Sequence, residues 1–205
     1  MIDRILALGK RLAKPMPAVG QTPADVVHHE NKWRLFHYKT RPAGLTQRTP
    51  VLCVPSLINR HYVLDLMPGK SFIEWLVARG HDVYCIDWGT PSDEDRFLTF
   101  DDITDGYIGR AVRVACRTSG VPQVHLMGYC LGGTLSVIHA AVHPEKIASL
   151  SLLAAPVSFS DDGLLSQWTR TKGFDLRALV EATGNVPWQL MHSAFHMLRP
   201  TMNLA

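Results

Sequence analysis

Long apolar runs are missing from this chain. No stretch of its 205 residues approaches the ~18 consecutive apolar positions that a membrane-crossing helix needs, so no membrane span is expected. Strong charge is missing too. Lys and Arg number 21 against 18 Asp and Glu, a net charge of +3 with His neutral, and the basic residues are scattered, which argues against a nucleic-acid partner. Cysteine is scarce: Cys53, Cys85, Cys116 and Cys130 are spaced to suit neither a zinc pair nor a redox CxxC. The opening "MIDRILALGKRLAKP" lacks the apolar core of a signal peptide. Free thiols without an export signal imply a reducing, cytoplasmic location. No internal repeat and no low-complexity tract is found.

What is present suits one globular domain, or one domain carrying an insertion. Hydrophobic residues make up 46%, enough for a sizeable core. Residues 1–30 read as an N-terminal helix, with Ile2, Ile5, Leu6 and Leu12 on one face, followed by an aperiodic linker from about residue 14. "KWRLFHYKT" (Lys32 to Thr40) alternates and predicts the first strand. "VLCVPS" (from Val51), "DVYCIDW" (from Asp82), "QVHLMG" (from Gln123) and "ASLSLLAAP" (from Ala148) are short continuous apolar runs, as in strands buried on both faces of a parallel sheet. Helical patterns fall between them. "SFIEWLVARG" sets Phe72, Trp75 and Leu76 on one face and stops at Gly80. "YIGRAVRVACRTSG" turns Ile108, Ala111 and Ala115 inward and stops at Gly120. "TLSVIHAAVHP" ends before Pro144. The alternation predicts an α/β class, with a mostly parallel sheet and helices on both faces over residues 31–159. From residue 160 to 205 three helical patterns follow with no strand between them. They are rich in large apolar residues (Trp168, Phe174, Trp188, Phe195) and predict the start of a helical cap.

The stretch "HLMGYCLGGTLS" sets a Gly-x-Cys-x-Gly-Gly turn between a strand and a helix, the context of a nucleophile elbow. The residues flanking the nucleophile must be small in so tight a turn, and Gly128 and Gly132 meet that need. Cys130 would then stand at a helix N-terminus, where free N–H groups and the helix dipole favour an anion and hence a thiolate. The backbone N–H of Leu131 is the expected first oxyanion donor. The second is expected from the loop "SLINR", at the N–H of Ile58 with Leu57 close behind. A thioester on Cys130 is close in energy to an incoming acyl thioester, so a thiol here points to acyl transfer rather than hydrolysis.

The run "VPSLINRHYVLDLMPGKSFIEWLVARGHDVYCIDWGTP", with "GYCLGG" and "LLAAPVSF", resembles the catalytic subunit of polyhydroxyalkanoate (poly-3-hydroxybutyrate) synthases. The likeness extends from about Trp33 to Pro200. It implies an α/β-hydrolase fold with a cap, and polymerisation of (R)-3-hydroxyacyl-CoA to polyester with release of CoA, the chain growing on Cys130. It implies no cofactor and no metal. "DWG" at Asp87 to Gly89 and the short N-terminal lead resemble the shorter synthases that work with a second subunit, implying a homo- or hetero-oligomer on polyester granules.

One departure stands out. The family's catalytic Asp and His lie after later strands, and the elbow order places the base after the nucleophile. Of the ten histidines only His139, His143, His192 and His196 follow Cys130. The first two lie too far along the elbow helix to return to the thiol. The second two fall in the cap, without the HExxH pattern of a zinc site. Asp87 reads as a turn or capping residue. The chain therefore reads as the N-terminal part of a synthase, with its C-terminal strands missing. It is expected to be inactive and poorly soluble alone, with the strand near Ser149 to Ala154 left as a bare sheet edge. A polyester depolymerase or thioesterase, and a non-catalytic granule- or synthase-binding subunit, are the competing readings.

Overall fold

The computed structural model describes residues 18–39, 44, 46–160 and 162–198; the expected N-terminal helix lies outside them. Two units divide the chain at Val157 and Ser158. The first is built on a six-stranded sheet in the order β1-β2-β4-β3-β5-β6. The strands are β1 (Ala24–Glu30), β2 (Trp33–Tyr38), β3 (Gln47–Val54), β4 (His81–Asp87), β5 (Val124–Tyr129) and β6 (Ile147–Leu153). From β4 through β3 and β5 to β6 the pairing is parallel; β1 with β2 and β2 with β4 are antiparallel.

The apolar runs are strands because alternate residues serve two cores. Leu52 and Val54, Tyr84 and Ile86, and Leu126 face one cluster with Trp33 and Leu35. There they meet Ile108, Ala111, Val112 and Ala115 of α2 (Ile108–Ser119) and Leu135 of α3 (Leu131–Val142). Their neighbours Val51 and Cys53, Val83 and Cys85, and Met127 face the other cluster. It is closed by Ile73, Leu76 and Val77 of α1 (Phe72–Ala78). A period of two in the strands thus supplies both faces. α1 starts where the Ser71 hydroxyl accepts the Glu74 N–H, an N-cap bond. α2 ends at Gly120 with φ 67°, the left-handed stop.

Two expectations are corrected here. Ala24–Glu30, read as linker, is an edge strand; among the described residues it pairs only with β2, and it has no fully buried residue, so it carries no clean apolar alternation to betray it. The buried face of α1 is Ile73, Leu76 and Val77, not Phe72 and Trp75, which are 40% and 47% exposed. Those two rings lie parallel to each other at the surface, and the Arg79 guanidinium stacks 3.7 Å above Trp75. The N-terminal approach to α2 is a π-helical turn, Asp102–Tyr107.

The second unit contains α4 (Leu164–Thr169), α5 (Leu176–Thr183) and α6 (Trp188–Leu198). α5 is capped by Asp175, whose carboxylate accepts the Ala178 N–H. Trp168 and Phe174 pack with ring centres 4.6 Å apart.

Candidate functional site

In open α/β sheets ligands gather beyond the C-terminal ends of the strands, where the strand order reverses. Here that place is between β3 and β5, since the chain moves from β3 outward to β4 and later returns to the other side of β3 as β5. The loop from Ser56 follows β3, and Cys130 follows β5.

Cys130 has φ 53° and ψ −127°, a region that costs a side-chain-bearing residue of order 1–3 kcal/mol. Close packing imposes it. A Cβ on Gly128 would lie 2.4 Å from the Gly133 Cα. One on Gly132 would lie 2.2 Å from the Val54 carbonyl oxygen and 2.4 Å from that of Pro55. One on Gly133 would lie 2.4 Å from the Ala155 Cβ. Strand, turn and helix therefore approach to backbone contact. Gly133 belongs to this set beside the expected Gly128 and Gly132; the second glycine of the Gly-Gly pair was its signal.

Hydrogen bonds hold the turn from both sides. The Cys130 N–H donates to the Leu153 carbonyl at 2.9 Å, and the Gly133 N–H to the Cys130 carbonyl at 2.8 Å. Thr134 donates its hydroxyl to the Pro156 carbonyl at 2.6 Å. Buried Ser136 returns its hydroxyl to the Gly132 carbonyl. The carbonyl that receives Cys130 belongs to the residue before Ala154, itself at φ 51°.

Cys130 is half-buried, whereas Cys53 and Cys85 are buried. Burial pushes the Cys53 thiol up to about 12 and lifts that of Cys85 well above the ordinary range, so both stay protonated. The Cys130 sulfur does not cap its own helix. Leu131 opens α3, so its N–H has no carbonyl one turn back. In the facing loop the Ile58 N–H donates to Ser56 Oγ at 3.2 Å, a long bond to a fully buried side chain. The Leu57 N–H has no acceptor among the described residues. Sequence reasoning passed over Ser56 and Trp88. The Trp88 indole N–H donates to the Pro55 carbonyl at 2.8 Å, pinning the start of that loop. Trp88, Leu57, Trp33, Leu98 and Tyr107 line an apolar cavity of about 270 Å³ beside it.

No histidine nitrogen or carboxylate among the described residues bonds the Cys130 sulfur. His139 and His143 are held by the Thr104 carbonyl and the Asp105 carboxylate. His192 and His196 approach each other at 3.1 Å on α6. Asp87 caps the Gly89 N–H, as a turn residue would. It also pairs with Arg34 at 2.5 Å and His61 at 3.3 Å. Burial alone would raise its carboxyl, and these partners outweigh it, holding the carboxyl well below the usual carboxylate range.

Residues 49–194 match the model of the alpha/beta hydrolase fold. The chain belongs to the alpha/beta hydrolase family. Within that family its residues 11–76 match the N-terminal region of poly-beta-hydroxybutyrate polymerase (PhaC), in line with the resemblance drawn from the sequence. This hydrolase-fold chain is 41% identical over 205 residues to the "Poly(3-hydroxyalkanoate) polymerase subunit PhaC" of Haloferax mediterranei, covering 99% of the chain and 42% of the relative. It is 40% identical to the protein of that name from Thiocystis violacea, covering 98% and 57%. The chain thus spans about half the length of these relatives. Among solved structures, a monoglyceride lipase from Saccharomyces cerevisiae superimposes with a TM-score of 0.53 at 16% identity, over 71% of this chain and 49% of that one. That likeness concerns the fold. No described helix is long and apolar enough to cross a membrane.

Proposed function

We propose that Cys130 is the acyl-carrying nucleophile of a polyhydroxyalkanoate polymerase acting on 3-hydroxyacyl-CoA. The observation that carries this reading is the strained, half-buried thiol at a strand-to-helix turn in a chain similar to named polymerases. The thiolate attacks the thioester carbonyl. The tetrahedral oxyanion is met by the Leu131 N–H and by a loop N–H, that of Leu57 or of Ile58 shared with Ser56. The carbon–sulfur bond to CoA then breaks; CoA leaves as a thiolate and takes up a proton, and the acyl group rests on Cys130. The hydroxyl of a second acyl unit attacks this thioester next. An ester forms, the hydroxyl proton passes to a base, and the Cys130 thiolate is restored. Fixed amide dipoles aimed at the developing oxyanion supply most of such a rate gain. The apolar cavity beside Leu57 and Trp88 suits the aliphatic part of the acyl chain.

The test is incubation with (R)-3-hydroxybutyryl-CoA, measuring released CoA and the mass adduct on Cys130. A single acylation without chain growth is expected: one equivalent of CoA with the acyl group on Cys130, and none in Cys130→Ala. CoA release unchanged in Cys130→Ala would refute the assignment. A second reading, a chain that docks to polyester without turnover, draws on the absence of a base bonded to the sulfur among the described residues. Granule binding by both wild type and Cys130→Ala, with no acyl adduct, would favour it.

A further inference from the structure

Far along α3 from the elbow, a second constellation stands apart from this chemistry. His139 lies in the last turn of α3, and His143 is the residue that ends it, its N–H donating to the His139 carbonyl at 2.9 Å. The π-helical turn Asp102–Tyr107 brings Asp105 against them. One donor atom from each of Asp105, His139 and His143 lies within 4.8 Å of the other two.

We propose that Asp105, His139 and His143 bind a divalent transition metal ion such as Zn²⁺. The imidazole of His139 is 3% exposed, and its Nδ1 lies 2.8 Å from the Thr104 carbonyl oxygen. A carbonyl can only accept, so Nδ1 carries the hydrogen and Nε2 presents its lone pair. This arrangement, with one ring nitrogen held by a backbone carbonyl and the other bare, orients histidines for metals. The His143 ring stands 5.0 Å away, centre to centre, and its Nε2 pairs directly with the Asp105 carboxylate. Metal would take the place of that direct contact.

Two imidazoles and one carboxylate suit zinc, cobalt or nickel better than magnesium or calcium. With ligand distances of about 2.0–2.2 Å, tetrahedral donors sit roughly 3.4 Å apart, so the triad must tighten by up to about 1.4 Å. His143 and Asp105 are exposed enough to move, at 37% and 61% of their side-chain surface, while His139 is fixed. A cavity of about 370 Å³ opens onto all three, leaving access for a fourth ligand from solvent. Arg110, Arg113 and Lys146 on its wall oppose a cation, and Glu145 offsets them in part. Binding is therefore weaker than at an enclosed site.

Cobalt titration of the full chain tests this, followed by visible absorption and calorimetry. A background of Cys116→Ala with Cys130→Ala removes the two part-exposed thiols as competing ligands. One Co²⁺ per folded chain is expected, displaced by Zn²⁺ and not by excess Mg²⁺. Asp105→Asn and His143→Gln, at exposed positions where folding is easily checked by circular dichroism, should each weaken binding about tenfold or more. His192→Ala with His196→Ala should leave it unchanged, although those rings form the other one-turn histidine pair. Absence of saturable binding, retention of full affinity in both Asp105→Asn and His143→Gln, or loss with the α6 pair would overturn the proposal.

Discussion

Cys130 combines a required side chain with an unfavourable backbone. Its φ of 53° suits glycine, so Cys130→Gly should be about 1 kcal/mol more stable than Cys130→Ala in urea unfolding, with no acyl adduct in either. Equal stabilities would mean that the turn stores no strain. Gly132 is a harder limit. An added methyl meets two carbonyl oxygens of the β3 end at 2.2 and 2.4 Å, and backbone cannot step aside as a side chain can. Gly132→Ala should cost more than about 3 kcal/mol, in the range of severe overpacking, and a melting point within a degree of wild type would contradict the geometry. Much of this was legible in the sequence, because steric demand leaves a glycine at each contact. The loop opposite was not. Ser56 and Trp88 act through their hydrogen bonds to the Ile58 amide and the Pro55 carbonyl, and nothing local in "PSLINR" or "IDWG" encodes that meeting.

At the level of elements, continuous apolar runs betrayed the central strands because both faces of β3, β4 and β5 are covered. β1 escaped because its pattern is mixed: in ADVVHHE only Ala24 and Val27 pack against the two cores, among polar neighbours. The face of α1 was misjudged because size was taken for burial. Phe72 and Trp75 are large but exposed, while the smaller Ile73 and Val77 fill the core; aromatic rings are often left partly wet. The π-turn before α2 was illegible because helix propensity does not distinguish one hydrogen-bond register from the next. Among the described residues β6 pairs only with β5, and Leu150, Leu152 and Leu153 are 36–48% exposed. A free edge with apolar side chains invites association. Leu152→Lys should lower light scattering of concentrated samples at unchanged far-ultraviolet dichroism; undiminished scattering would place the sticky surface elsewhere.

Across the whole molecule, the α/β-hydrolase architecture was legible because strand and helix periods alternate cleanly to residue 157. No histidine nitrogen or carboxylate among the described residues bonds the thiol, and the four histidines after it have other partners. One buried charge affects the stability of the entire first unit. Asp87 has a depressed folded-state pKa, so its contribution is present above the ordinary carboxylate pKa of about 3.9 and is lost as pH falls below it. Asp87→Asn should cost about 1–3 kcal/mol at pH 7, the scale of hydrogen bonds to charged groups, and the difference should shrink by pH 3. A pH-independent difference would mean that the contacts with Arg34 and His61 do nothing to favour the ionised carboxylate.

The bond from the Cys130 amide to Leu153 makes the outermost strand the anchor of the reactive turn. Margins of a sheet open before its centre does, so warming should release this fastening early. Modification of Cys130 by a thiol reagent should then change its rate several degrees below the melting of the bulk fold, when labelling kinetics and dichroism are followed together. A single shared transition would mean that the margin and the middle come apart as one. Otherwise the chain would lose its chemistry to heat sooner than its shape.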